Sequence, residues 1–233
     1  METRDIMEIL FNIGYLIVIW TLVVKMYRHI KSGTVKDIKL AKVFGWAFAL
    51  LALGDTGHVG FRVIAYLNGG IEQNIGLVGI GKLATSVTVT IFYVLLVVAW
   101  KIRYDKKYGM VTNILFASAL VRLIILAFPQ NQWGNSVQLF NWVIYRNIPL
   151  LIIGLGVTIL ILIDAIKSND TVFKWIGIMI IVSYGFYIPV ILFAHKVPLV
   201  GVLMIPKTMA YLVAAFVTYY GVFRTSSTLQ PNN

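Results

Sequence analysis

Seven ionisable side chains interrupt otherwise apolar stretches of this sequence: Asp55, His58, Arg62, Lys82, Arg122, Arg146 and Lys207. Two kinds of chemistry follow from those types. Asp55 with His58 has the makings of an acid/base pair. The arginines suit bidentate contact with carboxylate or phosphate, and the lysines act as point charges. Asp55, His58 and Arg62 fall at i, i+3 and i+7, so a helix sets them on one face. Ser86 lies one turn after Lys82, Tyr145 precedes Arg146, and Tyr211 lies one turn after Lys207. The candidate ligand-binding set is therefore Asp55, His58, Arg62, Lys82, Ser86, Arg122, Tyr145, Arg146, Lys207 and Tyr211.

The elements that must position them are membrane spans. The 233-residue chain is 59% hydrophobic and 12% charged. Soluble domains run at about 45–50% apolar and about 25% charged. Apolar runs long enough to cross a bilayer cover 7–27, 42–66, 81–101, 110–128, 147–166, 173–194 and 198–223. The fold class expected is all-α, a single seven-helix transmembrane domain over 1–233 in a cell membrane. The amino terminus METRDIMEILF is acidic before its first apolar run, unlike a cleaved secretory signal, so that run is expected to stay as a span.

Lys and Arg set the expected orientation. KMYRHIKSGTVKDIKLAK and KIRYDKKYG are strongly basic, and Lys167, Lys174 and Arg224 fall on the same side. The opposite loops, NGGIEQNIG, PQNQWGNSVQLFNWVIYRN and AHKVP, are far less basic. This places the N-terminus outside and the C-terminus in the cytoplasm. The net charge of +11 is mostly that bias, and anionic lipid headgroups are its natural partner. No basic arm or soluble module exists for nucleic acid. An NDT acceptor sequence at Asn169 falls on the cytoplasmic side. Spans 1 and 5 both open with Asn-Ile and close with Ile-Lys-Ser, and Lys82 and Lys207 hold related places in spans 3 and 7. A 3+1+3 plan with parallel repeats is one reading, chance likeness between apolar helices the other.

Depth separates the charges. Asp55 and Lys207 lie about ten residues from the outer ends of their spans, roughly 15 Å down at about 1.5 Å per residue. Asp55 is thus expected to be counter-ion to Lys207, His58 or both. The cations outnumber the one deep acid, which calls for water or a bound anion. Arg62, Lys82 and Arg146, and the deeper Arg122, have an alternative use, snorkelling to headgroups. Trp20, Trp100, Trp133, Trp142 and Tyr219 read as interfacial anchors. Gly54, Gly57, Gly60, Gly154 and Gly156 read as close packing, and Pro149, Pro189 and Pro206 as kinks, Pro206 freeing carbonyls beside Lys207.

Other chemistry is absent. With no cysteine and three scattered histidines there is no metal-ligand spacing, and no cofactor is implied. GxSxG is missing, so a serine triad would have to bring Ser86 or Ser118 to His58 and Asp55.

GDTGH, GKLATSVTVTIFYVLL, PQNQW, IYRNIP, GFYIPVIL and LMIPKTMAY together resemble an uncharacterised family of bacterial seven-span proteins. That resemblance covers spans 2 to 7, implies a plasma-membrane location and adds no catalytic residue. In architecture the chain resembles the wider 3+1+3 group of sugar and vitamin transporters and microbial rhodopsins. Alkaline-ceramidase-type hydrolases also have seven spans, but their last-span histidines are missing here. Three functions follow as expectations. One is an outward-facing cationic pocket for a small anionic solute, in a transporter or receptor. Another is an intramembrane enzyme acting on an anionic lipid headgroup through Asp55 and His58. The third is a retinal photoreceptor using Lys207, with Asp55 as counter-ion.

Overall fold

A bilayer core offers no water to backbone groups, so a chain this apolar must satisfy them within helices. A computed structural model describes residues 3–224, and the ends of the domain expected over 1–233 lie outside the described residues. Seven long helices are present: α1 Thr3–Ser32, α2 Ile38–Leu67, α3 Ile75–Arg103, α4 Met110–Ala127, α5 Phe140–Lys167, α6 Thr171–Phe193 and α7 Met204–Thr218. No strand occurs among the described residues. Six of the helical segments are long and apolar enough to span a membrane. The protein is an integral, multi-pass membrane protein with an all-α, seven-helix bundle. The segment below that apolar threshold is α2, whose middle turns carry Asp55 and His58; its 30 residues still reach across a bilayer.

Consecutive helices pack side by side, α2 most closely on α3, and α7 returns to α1. The bundle therefore has two rims. One carries the connections 68–74, 128–139 and 194–203, the other the shorter 33–37, 104–109 and 168–170. The shorter rim is basic and internally latched. Arg103 Nε meets Asp170 Oδ2 at 2.7 Å, and Lys106 Nζ meets Asp164 Oδ1 at 2.9 Å. Asp170 also caps α6, accepting from the Phe173 N–H at 3.2 Å. Burial and the nearby Asp170 carboxylate push the Tyr104 hydroxyl pKa up, so that group stays a donor to Asp170 at neutral pH. Two expected interfacial anchors are core residues instead. Trp100 is buried and donates to Asp164 Oδ2 at 2.9 Å, and Tyr219 is buried against the His29 ring.

Several helix ends run past the apolar runs, and two of the differences matter for the site. α5 begins at Phe140 rather than 147, because its first two turns hide polar Arg146 and Asn147 on an inner face. Arg146 is thereby carried nearly two turns into the helix. The last span is not one helix: a 3-10 segment Pro198–Leu203 precedes α7, and a π turn Tyr219–Phe223 follows it. Pro206 sits in the first turn of α7, where its missing N–H costs no intrahelical bond. It starts the helix there rather than kinking it.

Small residues allow close approach. A Cβ at Gly81 would lie 2.9 Å from the Gly57 carbonyl oxygen, so α2 and α3 touch through their backbones. Gly154 lies under the Tyr184 hydroxyl, and Gly156 against Leu115. Gly60 has nothing within 4 Å, so the packing role expected of it is not present. At Gly79 a Cβ would run into the backbone carbonyl of Trp133 in the α4–α5 connection. Gly79→Ala is expected to cost about 1–3 kcal/mol by overpacking a backbone that cannot rotate away. Gly60→Ala should cost nothing and gain up to about 1 kcal/mol of helix propensity. Thermal melting of the two purified variants checks the contrast; equal midpoints would contradict this seating of the connection.

Candidate functional site

Beneath the rim with the longer connections lies a cavity of about 1260 Å³. Asp55, His58, Arg62, Lys82, Ser86, Arg122, Arg146, Lys207 and Tyr211 all line it. Tyr145 does not: one position from Arg146 turns a helical side chain by about 100°, and Tyr145 is exposed with its ring against Trp142. Among the described residues that line the cavity, five Lys and Arg side chains face a single carboxylate.

The expected pairing of that carboxylate with Lys207 is an interaction of charges across the cavity rather than a direct contact. Asp55 and Lys207 close no direct ion pair. Asp55 Oδ2 accepts from the Tyr15 hydroxyl of α1 at 2.7 Å, and Oδ1 from the Thr85 hydroxyl of α3 at 3.1 Å. Both donors line the same cavity as Asp55. Lys207 instead faces aromatic rings, its Nζ 4.8 Å from the centre of Tyr187 and 5.5 Å from that of Tyr211. His58 shares the helix face of Asp55 but not a hydrogen bond with it, and its Nδ1 is buried without a partner in the protein. The acid/base pair is therefore not assembled. Nor is a serine triad, since Ser86 donates to the Lys82 carbonyl and Ser118 to the Leu115 carbonyl.

Arg122 is the most deeply enclosed charge, 2% exposed at the middle of the wall. Its Nε donates to the Arg146 carbonyl at 3.1 Å and its Nη1 to the Thr90 hydroxyl at 2.9 Å. Thr90 donates its own hydroxyl hydrogen bond to the Ser86 carbonyl at 2.7 Å, which leaves its oxygen free to accept. Both acceptors of Arg122 are neutral. Snorkelling does not apply to this residue, because its head group is inside the bundle.

Arg146 is aimed by the connection before it. Nη2 donates to Gln138 Oε1 at 2.6 Å, Nη1 to Asn131 Oδ1 at 3.4 Å, and the guanidinium lies 4.6 Å from the Trp133 ring centre. Asn131 is fully buried and ties back to the end of α4 through the Ile125 and Phe128 carbonyls. Trp133, expected at the interface, is thus a platform for Arg146. Gln138 Nε2 is buried without a protein partner.

Tyrosines close the deep end. The Tyr93 and Tyr211 hydroxyls hydrogen-bond, Tyr184 stacks on Tyr93, and Tyr187 donates to Asn147 Oδ1 at 2.9 Å. Tyr15, Thr85, Asn147, Tyr184 and Tyr187 were not in the sequence-derived set. Asn147 carried a usable signal, an amide inside an apolar run. The tyrosines carried none, since a tyrosine in a span is as easily an interfacial anchor. Comparison with protein-family models, curated proteins and solved structures returned no match.

Asp55→Ala removes an acceptor from two hydroxyls and should cost about 1–3 kcal/mol. Lys207→Met removes ring contacts but leaves Asp55 its hydroxyl partners, and should cost about 1 kcal/mol or less. Thermal melting of both variants ranks them. A larger loss for Lys207→Met would mean that Lys207, not Tyr15 and Thr85, holds the carboxylate.

Proposed function

We propose that this protein binds a small anion in an outward-facing cavity, as a transporter or receptor does, with the anion held by Lys82, Arg122, Arg146 and Lys207. The observation that carries the reading is Arg122: a buried guanidinium whose hydrogen-bond acceptors are both neutral. An uncompensated buried charge costs several kcal/mol. A carboxylate or phosphate supplies the missing charge and suits the planar fork of the guanidinium. The buried, unpartnered Nδ1 of His58 and Nε2 of Gln138 offer the same ligand further polar contact.

Orientation belongs to this proposal. The rim opposite the cavity carries most of the loop Lys and Arg, which favours its being cytoplasmic. A parallel repeat of α1–α3 and α5–α7 also belongs here. It is supported by Asn12 with Asn147, and Lys82 with Lys207, lining one cavity from matching helices.

The test is thermal melting of the purified protein against a panel of carboxylates and phosphates. A ligand at a hundred times its Kd should stabilise the wild type by about 2.7 kcal/mol. Arg122→Gln should lose that response and melt below the unliganded wild type, since it also breaks the ties to Thr90 and the Arg146 carbonyl. A panel that moves no midpoint would defeat the reading.

A further inference from the structure

The cavity is too large and too unevenly lined for a small hydrophilic anion alone. Sites that enclose drug-sized ligands span about 300–1,000 Å³, and this one reaches about 1260 Å³. Its polarity changes with depth. At the rim the wall is apolar: Phe140 opens α5, and Leu199 and Val202 come from the 3-10 segment before α7. Those three side chains are 38%, 68% and 43% exposed. The cations stand further in on the same elements. Arg146 follows Phe140 by six residues, and Lys207 follows Val202 by five. An entrance for a free, hydrated anion gains from charge at its mouth, because charge there raises local concentration. This mouth offers hydrocarbon along the start of α5 and the 3-10 segment, with the His195 ring tilted against Phe140 at 4.1 Å between centres and with polar Ser136 and Gln138 also in the lining.

We infer that the ligand is an amphiphilic anion: a carboxylate or phosphate seated on Lys82, Arg122 and Arg146, bearing a hydrocarbon tail that lies along Phe140, Leu199 and Val202. This rests on the anion-binding reading and narrows it. Such a ligand uses both halves of the cavity. The head group neutralises the deep cations, and the tail covers apolar surface that would otherwise face water at the mouth.

The experiment uses the full chain in phosphatidylcholine nanodiscs. Melting midpoints are measured against inorganic phosphate and butyl, hexyl and octyl phosphate, with octanol as the uncharged control. Free concentrations are corrected by partition into protein-free discs. Apparent affinity should tighten by about two- to fourfold per added methylene, octanol should not stabilise, and Arg122→Gln should abolish the response. Leu199→Asn with Val202→Asn should flatten the chain-length dependence and leave inorganic phosphate binding intact. Equal affinity for every phosphate in the wild type overturns this inference and leaves the anion reading standing. Octanol binding as tightly as octyl phosphate, with inorganic phosphate inert, overturns the anion reading itself. No response to any probe overturns both. Discs containing phosphatidic acid separate the sources: displacement of octyl phosphate assigns the site to a bilayer lipid, and lack of displacement to a free amphiphile.

Discussion

A guanidinium enclosed by protein and given only neutral acceptors is the constraint around which the rest of this bundle is arranged. Arg122 would be expelled from a hydrocarbon interior unless its donors were met and its charge were spread over polarisable surroundings. α3 meets one donor through Thr90, and α5 meets another through the Arg146 carbonyl. Tying α4 to both neighbours at that depth fixes the angle at which three helices approach. It also commits Arg146, on the same turn of α5, to the cavity. The α4–α5 connection then becomes structural, since Asn131, Trp133 and Gln138 hold the second guanidinium in place.

The two rims spend the same residue types in opposite ways. At the basic rim, two of the cations are matched by carboxylates, Arg103 by Asp170 and Lys106 by Asp164. Those pairs join the α3–α4 connection to the end of α5 and the start of α6, and they satisfy themselves. In the cavity, Arg122 and Arg146 meet amides, a hydroxyl and a carbonyl, while Lys207 meets aromatic faces. Neutral acceptors orient a cation without cancelling its charge. Paired cations make a latch, and unneutralised cations make a field that another molecule can answer.

The lone carboxylate fits the same logic. Asp55 and Lys207 act on one another as charges within the cavity, but they make no direct ion pair. Tyr15 and Thr85 reach across from α1 and α3 and each donate to one of the Asp55 oxygens. Two hydroxyl donors suffice to keep a carboxylate solvated within a bundle. Lys207 is thereby left to the tyrosines, whose hydroxyl network with Asn147 and Tyr93 closes the cavity from the aromatic core around Phe92 and Phe173.

The all-α class, the seven helices and the gathering of deep charges toward one side were legible in the sequence. Each follows from a local rule: apolar runs of bilayer length must become helices, and charges within them must face inward. Helical spacing likewise put Asp55, His58 and Arg62 on one wall, where the structure has them. Partnership was not legible. Equal depth and opposite sign pointed to Asp55 with Lys207, which do act on one another as charges but without direct contact; sequence adjacency drew Tyr145 in with Arg146, and that does not survive in three dimensions. Depth is one coordinate along a helix, whereas a hydrogen bond also needs the rotation of each helix and the distance between axes. Those are decided by which small residues let backbones touch, as at Gly57 with Gly81, and by which buried donors must be met, as at Arg122. Local composition fixes what must be buried, and only the packing of all seven helices decides what it is buried against.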